Sequence, residues 1–252
     1  MKEPIKIHCS SLSKLTTEPK SKADKDAGEL SETAKNHLIE VYAYNEYGFK
    51  KDISNKYTEK GNACEPEGLQ MIAEFTGLDV QKNELDPFEN DYFIGTPDAI
   101  IPEKKIIFDN KASWDWVTFL SNISDKPQQT LDPIYEAQMQ GYLNLLGWDT
   151  GYVAYTLIDT PESIRNDLKR QLFYKSNGKY LTEESPAFLR EWQEKEKNLI
   201  FSNRPLEERI LLFKVEKNQE YIEKAQQKVE KSRIFLQKFK ENHKNFNKSF
   251  KF

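Results

Sequence analysis

Residues 95–111 read Gly95-Thr96-Pro97-Asp98-Ala99-Ile100-Ile101-Pro102-Glu103-Lys104-Lys105-Ile106-Ile107-Phe108-Asp109-Asn110-Lys111, and they decide the fold. Ile100 and Ile101 follow one acid, and Ile106-Ile107-Phe108 precede another. The polar segment Pro102-Glu103-Lys104-Lys105 lies between them. Apolar runs bounded by Gly and Pro predict two short neighbouring strands joined as a hairpin. Side chains alternate along a strand, so Asp109 and Lys111 share a face. The hairpin thereby brings Asp98, Asp109 and Lys111 together, two carboxylates and one ammonium.

That trio suits phosphodiester hydrolysis. A hard cation stabilises charge on the phosphate and acidifies an attacking water. Mg²⁺ takes oxygen ligands and keeps several waters, so two carboxylates and a main-chain carbonyl suffice to hold it. A lysine beside them orients the water, or takes its proton once its own pKa is lowered. Alone, the residues also fit a plainer reading, because Pro-Asp is a common turn and Asp-x-Lys a common strand surface.

Two further segments add to the pattern. Upstream, Gly61-Asn62-Ala63-Cys64-Glu65-Pro66-Glu67 runs into Leu69, Ile72, Ala73 and Phe75 at helical spacing, with Gly77 as a stop. Pro66 fits a first helical turn. Glu65 then stands near the helix start, either facing the metal or complementing the helix dipole. Downstream, Gln138 and Tyr142 are four apart on an apolar helix and share a face. Tyr142 is either a site residue or a core aromatic.

In this order the elements resemble the PD-(D/E)xK nucleases, and among them the YqaJ-like viral recombinase and lambda-exonuclease group with its RecB-like nuclease fold. That group has a Gly-xxx-Glu helix, a Ser/Thr-Pro-Asp strand, an acid-x-Lys strand and a Gln-xxx-Tyr helix. Here they are Gly61 with Glu65, Thr96-Pro97-Asp98, Asp109 with Lys111, and Gln138 with Tyr142. Ile7-His8-Cys9-Ser10-Ser11-Leu12 is similar to the group's early helix, which opens with a serine. The resemblance covers roughly residues 5–160. Asp109 stands where Glu is more frequent, and Ala99 where glycine is usual. The arginine that holds a 5′-phosphate in lambda exonuclease has no counterpart before the serine segment, so 5′-phosphate dependence is not implied.

The resemblance implies a mixed α/β (α+β) fold with a restriction-endonuclease-like core, a central mixed sheet flanked by helices. Residues 1–160 would form the nuclease core, and 161–252 a mostly helical C-terminal extension packed on the same domain. It implies a Mg²⁺- or Mn²⁺-dependent exonuclease acting on linear double-stranded DNA in phage-type recombination. The alternatives are an endonuclease of the same superfamily or a non-catalytic DNA-end-binding module. Asp98, Asp109, the Asn110 carbonyl and Glu65 would hold metal, Lys111 would serve the nucleophile, and Gln138 would orient lysine or water. Tyr142 would contact DNA or brace the site, and Ser10 and Thr96 would contact phosphate. Trp114 would stack on a terminal base pair, or pack within its loop. Lambda exonuclease also suggests a homo-oligomeric ring and a single-strand annealing protein as partner.

Composition sets limits. The 252 residues allow one sizeable domain. No apolar run reaches membrane-spanning length and no signal-like segment follows Met1, so a cytoplasmic location and no membrane partner are expected. Two cysteines, Cys9 and Cys64, exclude a four-cysteine iron–sulfur cluster. The net charge of −4 is unevenly spread. Residues 79–136 hold 12 acids against 5 Lys/Arg, and residues 214–252 hold 11 Lys/Arg against 5 acids. The basic end meets phosphates or is a solvated helix face.

Periodicity predicts helices over 31–47, 60–76, 133–146, 161–174, 186–201 and 218–243. It predicts strands near 80–84, 92–101, 105–112, 151–158 and 210–215. Residues 20–29 read as a polar loop, 113–130 as an aromatic loop, and 245–252 as a frayed end.

Overall fold

The computed structural model describes residues 4–51, 54–123 and 131–246. Its strands are β1 (Ile7–His8), β2 (Phe88–Glu89), β3 (Phe93–Gly95), β4 (Ala99–Ile101), β5 (Ile106–Ala112), β6 (Thr150–Thr156) and β7 (Ile210–Glu216). Its helices are α1 (Leu12–Thr16), α2 (Lys22–Asp26), α3 (Glu32–Tyr47), α4 (Lys56–Thr76), α5 (Trp116–Leu120), α6 (Pro133–Leu146), α7 (Glu162–Lys175), α8 (Pro186–Glu196) and α9 (Gln219–Asn245). Residues 124–130 and 247–252, part of the predicted loop and frayed end, lie outside the described residues.

The hairpin forms as predicted. β4 and β5 pair antiparallel with Ile100 opposite Ile107, and Lys105 turns the chain at φ +54°. The sheet runs β4-β5-β6-β7, with β5 and β6 parallel and β6 and β7 antiparallel. It is a mixed sheet with helices on both faces, and its last strand comes from the segment after residue 160. A second sheet, β1-β3-β2, carries the chain into the Thr96-Pro97-Asp98 turn.

Strand alternation decides which residues meet which helix. Ile107, Val153, Tyr155 and Phe213 point to the face that packs with Met139 and Leu143 of α6 and Val229 and Leu236 of α9. Phe108, Ala154 and Ile210 point to the opposite face, against Leu69 and Ile72 of α4. Asp109 and Lys111 thus fall on the α6 side and Asn110 on the α4 side. Among the described residues no helix is long and apolar enough to cross a membrane.

Several boundaries differ from expectation. The glutamate helix begins at Lys56, where Asn55 and Thr58 form a capping box, so Pro66 lies inside it and not in its first turn. Residues 92–101 divide between two sheets, because Gly95-Thr96-Pro97 interrupts the strand. Residues 80–84 make only a single bridge, Lys82 with Ala99. Part of the predicted aromatic loop is helical, started by the Asp115/Thr118 capping box. Lys22–Asp26, within the predicted polar loop, is a short helix capped by Ser21.

Candidate active site

Asp98, Asp109, Lys111 and Gln138 come together at the end of the hairpin. Phe108 is the last residue of β5 paired to β4. Two residues on, the Asn110 N–H donates to Asp98 Oδ2 at 2.7 Å, which fixes the first carboxylate against the second strand. Asp109 is 1% exposed. Its Oδ1 receives Gln138 Nε2 at 3.4 Å, and Lys111 Nζ stands 2.6 Å from its Oδ2. That oxygen is held by the Lys111 ammonium. A buried carboxylate is costly unless a cation stands beside it, and its oxygens are natural ligands for a divalent ion.

Gln138 links the set. Its Oε1 accepts from Lys111 Nζ at 3.3 Å, and its Nε2 also donates to Tyr142 Oη at 2.8 Å. Tyr142 in turn donates to the Thr96 carbonyl at 3.1 Å, and the tyrosine is 4% exposed. Of its two sequence-based roles, the structure gives Tyr142 that of a brace on the Thr96-Pro97-Asp98 turn. From the other side, Asn83 holds the same turn through the Pro97 and Asp98 carbonyls.

The electrostatics are those of two acids forced together. Burial, then the Asp109 charge, push the Asp98 carboxyl up to about 7, against the opposing pull of Lys111 and the Asn110 N–H. For Lys111, burial acts downward but is outweighed by Asp109, and the net shift is upward. The sequence-based idea of a lysine with lowered pKa is therefore corrected for the metal-free protein: Lys111 is an ammonium ion.

Asp98 carries a stability consequence. Its pKa is higher folded than unfolded, so the folded state binds more protons between about pH 4 and 7. Stability in EDTA should fall as pH rises through that window. Asp98→Asn should be more stable than wild type at pH 8 by roughly 1–3 kcal/mol, with little difference at pH 4. Urea unfolding at both pH values checks this; equal stability at pH 8 would refute the proposed repulsion.

Glu65 does not close a third side. It pairs with Lys82 at 3.0 Å, though its charge still acts on Asp98. Among the described residues no group of three or more Asp, Glu, His or Cys side chains forms a metal cluster. Glu65 sits deep in α4, so the alternative of a first-turn acid complementing the helix dipole is set aside. Ser10 and Thr96 are exposed, Ser10 on a 3₁₀ turn whose neighbour Cys9 lies close to Gly95 and Gly141. Asn110 turns its side chain toward α4 and accepts from Thr156 at 2.8 Å. Gly68 makes room there, since a Cβ would come within 2.2 Å of the Asn110 amide.

Neither a protein-family model nor a curated protein matches the chain. Solved structures do. A phage-related exonuclease from Haemophilus somnus 129PT is 28% identical, with a TM-score of 0.76 over 96% of this chain and 98% of that one. An alkaline exonuclease from Laribacter hongkongensis is 14% identical, with a TM-score of 0.63 over 95% and 92%. The latter protein in complex with dAMP superposes with a TM-score of 0.60. This chain has the YqaJ-like nuclease fold.

Within that nuclease fold, three residues near the site carried no motif to find them by. Lys82 and Asn83 act from a segment of little regular structure. Lys60 is 1% exposed and donates to the Trp114 carbonyl at 3.0 Å. Its signal was present: Lys60, Cys64 and Met71 lie on the buried face of α4, where a lysine is out of place. The aromatic segment divides, with Trp116 packed on Phe119 and Phe201 while Trp114 stays half-buried beside Tyr57.

Proposed function

We propose that this chain is a divalent-metal-dependent deoxyribonuclease, an exonuclease acting on the ends of linear duplex DNA. The observation that carries the reading is the convergence of Asp98, Asp109 and Lys111 in a fold that matches a phage-related exonuclease along nearly its whole length. The buried Asp109 carboxylate and the raised Asp98 carboxyl fit a Mg²⁺ or Mn²⁺ ion held by both carboxylates and the Asn110 carbonyl. Bound there, the ion supplies positive charge for the phosphate and a more acidic water.

The chain's own groups do the rest. Lys111 offers an ammonium to the phosphate or to the attacking water. Gln138 holds Lys111 and Asp109 in register, and Tyr142 keeps the Asp98 turn in place. Glu65, paired with Lys82, adds negative charge that acts on Asp98. Phage-type recombination is the setting that best fits this combination.

Linear and covalently closed forms of one plasmid, incubated with Mg²⁺, test the end requirement. The linear form should be degraded progressively and the closed circle left intact. Efficient linearisation of the closed circle would replace the exonuclease reading with an endonuclease of the same fold.

A further inference from the structure

Lys111 also borders a cavity of about 260 Å³, lined by Tyr57, Lys60, Trp114, Tyr135 and Asp132. Its size is just below the range of about 300–1,000 Å³ usual for small-molecule sites. Lys60 contributes a buried ammonium. Among the described residues it meets the Trp114 carbonyl as its one hydrogen-bond acceptor, lies 5.6 Å from the Trp114 ring centroid and 5.1 Å from that of Phe201, and forms no ion pair with a carboxylate. Burial brings its pKa down to about 8, although Cys64, Asp159, Asp115 and Glu67 act the other way. A buried cation without a counter-ion is costly, and an anion placed beside it removes that cost. Asp132 is the one acid on the border, and its carboxylate caps α6 through the Ile134 N–H at 2.8 Å, where the helix dipole offsets its charge.

The walls suit a base. The Tyr57 and Trp114 rings meet edge to face at 4.9 Å, and Lys56 Nζ lies 4.8 Å from the Trp114 centroid. Tyr57 is exposed and Trp114 half-buried, so ring surface faces outward. Aromatic faces flanked by cations are how proteins hold single nucleotides of a strand without reading sequence.

We propose that this cavity is a subsite for one nucleotide of the DNA strand, its phosphate against Lys60 and its base against the Trp114 and Tyr57 rings. The identity of the strand rests on the nuclease reading above; the cavity's affinity for a nucleotide does not.

The test uses full-length protein in EDTA, labelled with 5-fluorotryptophan and followed by fluorine NMR. The chain has four tryptophans, and the Trp114→Phe variant assigns the one that matters. Thymidine 5′-monophosphate should move the Trp114 resonance, thymidine should bind more weakly, and a thymidylate tetranucleotide more tightly. Lys60→Met should weaken the monophosphate by about 10–100-fold, as for loss of one charge-assisted hydrogen bond. A Trp114 resonance that stays in place overturns the subsite, and this holds whether or not Lys60→Met folds. So does equal affinity in a folded Lys60→Met protein, or a monophosphate that binds better than the tetranucleotide. Mg²⁺-dependent DNA cleavage is measured in parallel. Cleavage without the Trp114 shift sinks the subsite alone, whereas the shift without cleavage sinks the nuclease reading and leaves a nucleotide site.

Discussion

Asp109→Asn should lower Mg²⁺-dependent DNA cleavage by about 10³-fold or more, above the upper end for loss of a single preorganised electrostatic group. The substitution keeps shape and removes charge at the most enclosed point of the site. Asp109 is 1% exposed, and both Lys111 and Gln138 are oriented by it. The fold should survive, because two effects oppose each other. Lys111 loses its counter-ion, while Asp98 loses the like charge that, after burial, does most to raise its pKa. Circular dichroism melts in EDTA should therefore stay close to wild type. Near-wild-type cleavage by this variant would remove Asp109 from the site.

Lys111→Met comes second in size. It should reduce turnover at saturating DNA by about 10²–10³-fold, with little change in DNA affinity. The motive is its contact with Asp109 on the same strand face, close to where a phosphate meets the two carboxylates. Its upward pKa shift argues for an electrostatic or positioning role rather than proton abstraction in the metal-free state. A second signature follows from the same geometry. Without Lys111, Asp98 and Asp109 lose the cation that acts on both of them, so Mg²⁺ should raise the melting temperature of the variant more than that of wild type. A variant that loses DNA affinity but keeps its rate would make Lys111 an ordinary phosphate contact.

Much of this was legible in the sequence, for local reasons. The hairpin announced itself through two apolar runs separated by a turn, and strand alternation put Asp109 and Lys111 on one face. The Gln138 helix begins at Pro133 and ends before Gly147, both common boundary residues. Where two local signals compete, the structure follows the less conspicuous one. Pro66 fits a first helical turn and the periodicity places the helix from residue 60, yet the helix is capped at Asn55, eleven residues before Pro66, and tertiary packing carries α4 through the proline. The aromatic content of Trp114, Trp116 and Phe119 hid the Asp115/Thr118 cap of α5.

What could not be read is long-range. Lys82 reaches Glu65 across the surface of the fold, and Lys60 reaches the carbonyl of Trp114, 54 positions away. Neither contact leaves a local periodicity. Asp98 and Asp109 could be placed together from the motif, but the angle at which Gln138 meets Asp109 and Lys111 depends on the packing of α6. Such an angle is a property of packing between β5 and α6, which no spacing in the chain encodes.

The central claim is metal-dependent cleavage by Asp98 and Asp109. Release of acid-soluble nucleotides from uniformly labelled linear duplex DNA measures it directly, with wild type and Asp109→Asn each in Mg²⁺ and in EDTA. The account predicts release by wild type in Mg²⁺ and background in the other three reactions. Release that persists in EDTA or in Asp109→Asn, or no release by wild type in either Mg²⁺ or Mn²⁺, would contradict it.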